Sequence, residues 1–211
     1  MAGCGDTPPP TQASTFRAPE PARWTVTAHP LGRGTFERAN VRFGRDGLTL
    51  TLPQGTTNGG ELQANSLDGP GTASVRMRSA TSPGSISAFF LYRHDFKTDS
   101  SDELDFEIPG GQPNRVILTV WRRGIKTPVA QKTVALPFNP SAGFHDYALQ
   151  RTSKGAVTFL IDGREMFASS KAPTSDMKSI LNAWYPTWQD PTVPPAGGQA
   201  VVQRYAFTPA S

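Results

Sequence analysis

The chain is poor in cysteine, in long apolar runs and in dense charge of one sign, and each shortage excludes a class of protein. A single cysteine among 211 residues allows no disulfide bond within the chain. The apolar runs are all far shorter than the roughly 20 residues that a membrane-spanning helix requires. The formal net charge is only +4. Since no nucleic-acid-binding motif accompanies the scattered basic residues, we expect no nucleic-acid partner.

The one basic cluster is the segment WRRGIK, from Trp121 to Lys126. A solvated basic surface is the simplest interpretation of it. The alternative is an affinity for anionic polymers, such as sulfated or uronic polysaccharides, or for an anionic cell surface.

The first residues, MAGCGDTPPPTQAS, contain the cysteine and are otherwise polar and rich in proline. Such a composition cannot pack a core, so we predict a flexible tether over residues 1–21 and a single globular domain over residues 22–211. The AGC triplet resembles the end of a bacterial lipoprotein signal, in which the cysteine becomes the lipidated first residue. We therefore expect Cys4 to anchor the protein to a membrane and the protein to be extracytoplasmic, on the cell envelope or secreted. Because no basic and apolar signal regions precede Cys4, a chance match stays open, and mass spectrometry of Cys4 in the native protein decides between the two.

Many short strand-like runs separated by turn residues make up the rest of the chain. Twenty glycines and twenty prolines, together with Asn and Asp, punctuate these runs. The pair Asp162-Gly163 suits the two-residue turn of a β-hairpin, and only the brief segment PTSDMKSIL has a helix-like pattern. Many strands of similar length without alternating helices predict an all-β fold, a two-sheet antiparallel β-sandwich. The predicted strands are LTLTLP, ELQANS, TASVRMRS, SISAFFLYRH, DELDFEI, NRVILTVWRR, HDYALQRT, AVTFLI, REMFASS, SILNAWYP and AVVQRYAF.

The most informative run is DELDFEI, in which acidic and apolar residues alternate. Because alternate residues of a strand point to the same face, Glu103, Asp105 and Glu107 project together, while the apolar residues between them enter the core. Like charges about 7 Å apart along a strand raise one another's pKa, so one of the three acids is expected to hold a proton near neutral pH. An ionised carboxylate beside a protonated one is the pair that cleavage of a glycosidic bond requires. An acidic solvent-facing strand, or a cation site built from the same oxygens, is the alternative.

Together with four further segments, DELDFEI resembles glycoside hydrolase family 16, which contains lichenases, laminarinases, agarases, carrageenases and xyloglucan-active enzymes. The signature of that family is E-x-D-x-E, or E-x-D-x-x-E where the strand is bulged. The resemblance extends from about Phe36 to Phe207 and implies a concanavalin A-like β-jelly roll with a concave cleft for a polysaccharide. The other matching segments are GGELQA, SAFFLY, GFHDYALQRTSKGAVTFLIDGREM and ILNAWYPTW.

The resemblance implies a role for each carboxylate. Glu103 stands at the position of the nucleophile, Asp105 at that of the assisting carboxylate and Glu107 at that of the general acid/base. The implied activity is that of a retaining endo-acting O-glycosyl hydrolase of the β-glucanase type, which works by double displacement. The unbulged spacing resembles the lichenase and xyloglucan branch and favours a β-glucan, with mixed or β-1,3 linkages, as the substrate.

The resemblance also assigns side chains to substrate binding, since aromatic rings lie against sugar faces and polar groups bond sugar hydroxyls. Three positions, Gln63, Ser101 and Thr119, depart from the lichenase pattern, so the resemblance leaves lichenase specificity open. The assigned residues are Glu61, Phe90, Tyr92, Trp121, Asn182 and Trp184, with Trp188 at the rim.

No cofactor or metal is expected to be required. His29, His94 and His145 lack the spacing of a metal site. Some family members hold a structural calcium, but the C-terminal Asp often used for it is absent from AVVQRYAF, so we do not predict one. Nothing in the sequence indicates an oligomeric state.

Two other functions stay open beside hydrolysis. A transglycosylase of the cell surface or cell wall uses the same three acids but transfers the glycan to a sugar instead of water. A non-catalytic carbohydrate-binding sandwich shares the architecture with lectins. The three-acid cluster argues against the lectin, because sugar binding alone has no use for it.

Overall fold

The computed structural model describes residues 12–111, 114–124, 127–190 and 195–210. The lipidation predicted at Cys4 and most of the predicted tether lie outside these residues. The described residues contain no α-helix, and none of their helical segments is long and apolar enough to cross a membrane.

Seventeen strands and one 3-10 turn, Arg38–Asn40, make up the secondary structure of the described residues. The strands are β1 (Gln12–Ser14), β2 (Trp24–Val26), β3 (Pro30–Leu31), β4 (Gly34–Thr35), β5 (Val41–Gly44), β6 (Gly47–Leu52), β7 (Gly60–Ala64), β8 (Gly71–Arg78), β9 (Ile86–Asp95), β10 (Ser100–Pro109), β11 (Arg115–Trp121), β12 (Ala130–Ala135), β13 (His145–Arg151), β14 (Val157–Ile161), β15 (Arg164–Ser169), β16 (Lys178–Trp184) and β17 (Gly198–Pro209).

Two large antiparallel sheets face each other, as the sequence predicts. One sheet has eight strands in the order β15-β14-β13-β8-β17-β6-β5, with β1 paired to β17. The other has seven strands in the order β12-β11-β10-β9-β16-β7-β2, and β3 and β4 form a separate small hairpin. The strand that carries the three acids, β10, lies inside the seven-stranded sheet, between β9 and β11.

The core between the sheets follows from the period-two pattern of the strands. On β10, Leu104, Phe106 and Ile108 are fully buried. Phe106 meets the eight-stranded sheet at Tyr147 and Phe159, with ring centroids 5.5 Å and 5.3 Å away. Apolar surface removed from water in this way supplies the main favourable free energy of folding, so the inward face of β10 is fixed by the core.

Two local sequence patterns compare differently with the structure. The hairpin predicted at Asp162-Gly163 is confirmed, because both residues have positive φ, 50° and 75°, as a type I′ turn requires. The helix-like pattern of PTSDMKSIL does not form a helix: its second half belongs to strand β16, which confirms the predicted strand SILNAWYP, and Ile180 pairs there with Phe90 of β9. A short apolar run fits either period, and here sheet pairing decides.

The predicted boundary between tether and domain is also wrong. Residues 12–14 form β1 on the edge of β17, and Phe16 is fully buried. The Phe16 ring lies edge-on to Trp24, with centroids 5.4 Å apart, and the indole N–H of Trp24 donates to the Ser14 hydroxyl at 2.9 Å. The Phe16 side chain thus packs this otherwise polar segment against the core.

Replacement of Phe16 by Ala tests this boundary. Emptying a fully buried aromatic site typically costs about 3–5 kcal/mol of unfolding free energy, so we expect a loss of this size in urea denaturation. Thr15→Ala, at the exposed neighbouring position, serves as the control. If Phe16→Ala cost no more than Thr15→Ala, residues 12–21 would belong to the tether after all.

Candidate active site

Strand β10 pairs on both sides without interruption, which fixes the positions of the three acids. Glu103 lies opposite Tyr92 on β9 and Trp121 on β11, and Asp105 lies opposite Phe90 and Thr119. No register shift occurs in either pairing, as the unbulged spacing of the acids predicts. The three carboxyl groups therefore share one face of a regular sheet, with aromatic neighbours beside the first two.

The acids are sheltered from water although they lie on the face away from the core. Asp105 is buried, with 4% of its surface exposed, while Glu103 and Glu107 are half-buried. Their burial raises the pKa of Glu103 and of Glu107 to about 7, and the charge of Glu61 adds to the effect at Glu103 while that of Glu103 adds to it at Glu107. The sequence predicted a raised pKa from the repulsion between neighbouring acids, but burial makes the larger contribution.

The pKa of Asp105 is raised as well. Burial and the charges of Glu103 and Glu107 raise the Asp105 pKa well above its ordinary value. A hydrogen bond between Asp105 and Glu103 lowers the pKa of Glu103 and raises that of Asp105. The indole N–H of Trp121 donates to Asp105 Oδ2 at 2.9 Å and holds this carboxyl in place.

The beginning of the acidic run is tied to the neighbouring loop by Asp102. Its carboxylate accepts the backbone N–H of Arg123 at 2.9 Å and the Ser175 hydroxyl at 2.7 Å. Buried Arg151 donates to the Ser175 carbonyl and, at 3.3 Å, to that of Asp68. These bonds fix the end of β10 from which Glu103 projects.

The acids lie in a groove formed by two adjoining cavities on the outer face of the seven-stranded sheet. The smaller cavity, about 570 Å³, holds all three acids, and the larger, about 710 Å³, begins at Glu103 and extends past Tyr92. Leu31, Phe90 and Glu103 line both cavities, so Glu103 lies where the two meet. The smaller cavity is also lined by Ala88, Ile117, Trp121, Gln131, Thr133, Asn182, Trp184 and Trp188.

All of the side chains that the sequence assigned to substrate binding line this groove. Phe90, Trp121, Asn182, Trp184 and Trp188 belong to the smaller cavity, and Glu61, Phe90 and Tyr92 to the larger. The alternation predicted for β9 is also correct, since Phe89 and Leu91 are buried in the core.

Glu61 differs from the expectation in what it contacts. It is almost fully buried, and its Oε1 accepts hydrogen bonds from Thr27 at 2.8 Å, His29 at 3.0 Å and Gln63 at 2.7 Å. Its Oε2 accepts the Asn182 amide at 3.2 Å. The carboxylate thus holds polar neighbours in place at the groove floor, while the buried Oδ1 of Asn182 has no hydrogen-bond partner among the described residues.

Several groove residues were not predicted from the sequence. Gln131 and Thr133 come from β12, an exposed edge strand without a clear apolar alternation. Lys178 and Ile180 come from β16, where they precede Asn182 by four and by two residues. The resemblance assigned Asn182 and Trp184, and the period-two pattern of the same strand could have extended that assignment to these two residues.

The β3–β4 hairpin brings Leu31 over the junction of the cavities. Gly32, between the two strands, has a φ of 59°, and a Cβ there would lie 2.5 Å from the Tyr185 carbonyl oxygen and 2.6 Å from the Trp184 ring. The backbone N–H of Arg33 donates to that carbonyl at 2.8 Å. Only glycine permits so close an approach at positive φ, and the contact fixes the hairpin against the end of β16.

Comparison with known proteins identifies the family of this chain. The model of the glycosyl hydrolases family 16 matches residues 32–193, which is most of the chain. The chain belongs to glycosyl hydrolases family 16. The resemblance seen in the sequence is confirmed.

A curated relative and two solved structures are similar to this chain. The chain is 29% identical over 161 residues to a beta-glucanase of Paenibacillus macerans, covering 74% of this chain and 67% of that protein. The structure of Bacillus licheniformis beta-glucanase superimposes with a TM-score of 0.82 at 21% identity, covering 94% of this chain and 98% of the other. The apo Crh5 transglycosylase superimposes with a TM-score of 0.74 at 22% identity, covering 95% and 84%. The two superpositions show that this chain has the same fold as these two proteins.

The raised pKa values predict how stability depends on pH. A carboxyl whose pKa rises from 4.5 to about 7 on folding binds its proton more tightly in the folded state, so the unfolding free energy falls as pH rises through this window. For Glu107 alone this shift in pKa corresponds to a loss of about 3 kcal/mol of unfolding free energy. We therefore expect Glu107→Gln to lose less stability than the parent protein between pH 5 and pH 8.

Thermal and urea unfolding at both pH values measure this difference. Glu165→Gln, at an exposed position on β15, is the matched control and is expected to follow the parent protein. Parallel stability curves for the parent and Glu107→Gln would show that the Glu107 pKa is not raised.

Proposed function

We propose that the protein is a retaining endo-glycoside hydrolase that cleaves a β-linked polysaccharide. The proposal is carried by the placement of Glu103 and Glu107 on one face of β10, in one cavity, each with a pKa of about 7. Near neutral pH such a pair holds one proton between them, as a nucleophile and a general acid require. Because the two cavities meet at Glu103, sugars have room on both sides of the cleaved bond, which suits attack within a chain.

In the first step Glu107 donates its proton to the glycosidic oxygen while the Glu103 carboxylate attacks the anomeric carbon. The bond to the departing chain breaks and an ester to Glu103 forms. Ionised Glu107 then takes a proton from water, which attacks the same carbon and releases Glu103. Two inversions give net retention, and they require the carboxyl groups about 5–5.5 Å apart. Cα atoms four residues apart on a strand are about 13 Å apart, so the two side chains must converge in the groove.

Asp105 keeps the nucleophile in its reactive form. The hydrogen bond between Asp105 and Glu103 lowers the pKa of Glu103, so Glu103 stays ionised more readily. Trp121 fixes Asp105 from the other side. We assign Asp105 as the assisting carboxylate on this basis.

The two cavities correspond to the two sides of the cleaved bond. Glu107, the acid that protonates the departing chain, lines only the smaller cavity, whereas Glu103 lines both. The sugar that Glu103 attacks and those before it therefore occupy the larger cavity. The departing sugars occupy the smaller cavity, near Trp184 and Trp188.

A β-glucan with mixed or β-1,3 linkages is the substrate that we propose. The support comes from the beta-glucanases among the relatives, from the unbulged register of β10 and from the aromatic side chains along the groove. The alternative is transglycosylation, in which a sugar hydroxyl replaces water in the second step. It is favoured by the likeness to the Crh5 transglycosylase and is recognised by longer products when acceptor oligosaccharide is added in excess.

Substitution of the two glutamates tests the hydrolase proposal. Glu103→Gln and Glu107→Gln are each expected to reduce turnover of a β-glucan panel by at least about 10³-fold, since each removes an obligatory role, while circular dichroism stays unchanged. NMR of the first products of the parent protein should show the β-anomer. An α-anomer at first, or Gln variants that retain turnover, would overturn the double displacement.

We further propose that this activity needs no metal. Within the described ranges no group of three or more His, Cys, Asp or Glu side chains is placed to hold an ion, and the mechanism assigns every proton and bond change to carboxyl groups. Turnover is therefore expected to survive dialysis against a chelator. A chelator-sensitive activity restored by calcium would contradict this.

A further inference from the structure

Exposed apolar side chains of the described residues concentrate along the groove. The large ones are Leu31, Leu67, Phe96 and Trp188, with 40%, 44%, 89% and 52% of their surface exposed. Each of the four lines one or both cavities. Apolar groups exposed together mark a binding surface, and Phe96 is by far the most exposed of them.

Phe96 is held by a structured turn between β9 and β10. The Asp95 carboxylate accepts the backbone N–H of Lys97 and the hydroxyl of Thr98, each at 2.9 Å. The Thr98 hydroxyl also lies 2.8 Å from that of Ser100. A turn fixed in this way presents the Phe96 ring at little further cost in conformational entropy.

The His94 ring supports Phe96 from inside the groove. The two rings meet edge to face with centroids 4.5 Å apart, and His94 Nε2 lies 3.5 Å from Asp99 Oδ1. His94 and Phe96 both line the larger cavity. Together with Leu67, which lines the same cavity, they add an apolar surface to its wall.

This surface lies beyond the reacting sugar. Glu103 pairs with Tyr92, and Phe96 follows Tyr92 by four residues, which corresponds to about 13 Å of extended chain. Since the same cavity is lined by Glu103 and by Phe96, a glycan chain attacked by Glu103 is directed towards Phe96. Arg93 and Lys178 also line this cavity and supply N–H donors for sugar hydroxyls.

We propose that Phe96, supported by His94 and facing the same cavity as Leu67, forms a distal sugar-binding subsite for the non-reducing part of the glycan. The ring stacks on the apolar face of a pyranose, as aromatic rings in sugar sites do. The proposal rests on the proposed function, because the direction of the glycan follows from the roles of Glu103 and Glu107. It predicts that long substrates gain affinity at Phe96 and that short ones do not reach it.

Turnover of a ladder of β-glucan oligosaccharides of increasing length tests the subsite. For Phe96→Ala, kcat/KM on long oligosaccharides is expected to fall about three- to tenfold relative to its value on short ones, as loss of one stacking contact implies. Phe96→Trp keeps an aromatic ring at this position and should retain the length dependence of the parent protein. Lys97→Ala, in the same turn, is the matched control and should follow the parent protein at every length.

Binding of the same ladder to the Glu107→Gln protein, with and without Phe96→Ala, separates the subsite from catalysis. Calorimetry should show that Phe96→Ala weakens only the binding of long oligosaccharides. If no β-glucan is turned over but this pattern holds, the proposed function fails and the subsite stands. If Phe96→Ala changes nothing, or weakens all lengths equally, the subsite is overturned. Capture of a protein instead of a glycan by the Phe96 surface would overturn it as well.

Discussion

The two-residue repeat of β10, held in continuous register between β9 and β11, is the constraint on which the site depends. Burying Leu104, Phe106 and Ile108 stabilises the fold by roughly 4–9 kcal/mol. The pKa of Glu107 is about 7 in the fold instead of its ordinary 4.5, so keeping this carboxyl ionised costs about 3 kcal/mol. The free energy gained on the core face is therefore at least as large as the cost of ionising one carboxyl of the acidic face. A slip by one residue would reverse both faces, so folding and chemistry are fixed by the same register.

Burial links this constraint to reactivity. The neighbouring strands place Tyr92 and Trp121 beside Glu103, and Phe90 beside Asp105, which removes water from the carboxyl groups and raises their pKa. The same aromatic side chains line the cavities that we assign to the glycan. The rings that we propose for sugar binding therefore also raise the pKa of the carboxyl groups towards neutrality. The exposed apolar surface at Phe96 extends this arrangement along the larger cavity.

The fold could be predicted from the sequence wherever alternation was regular, and the groove residues on β9 and β16 could be predicted from the resemblance to the family. The acids of β10, Phe90 and Tyr92 of β9, and Asn182 and Trp184 of β16 all lie on the predicted face. Three features were missed because they depend on contacts distant in sequence. Phe16 enters the core through Trp24, and Gln131 reaches the groove from an edge strand without a pattern. Glu61 is enclosed by donors from the β2–β3 loop and from strand β16. The larger effect of burial on the pKa values likewise follows only from the folded surroundings.

The central claim is that Glu103 is the ionised nucleophile of a retaining hydrolase. Incubation with a 2-deoxy-2-fluoro β-glucosyl or oligoglucosyl substrate that carries a good leaving group tests it directly, because fluorine slows hydrolysis of the ester once it has formed. Peptide mass spectrometry is predicted to find one sugar attached to Glu103, with stoichiometric release of the leaving group. Attachment to Asp105 or Glu107, or turnover of natural substrate without any trapped ester, would contradict the account.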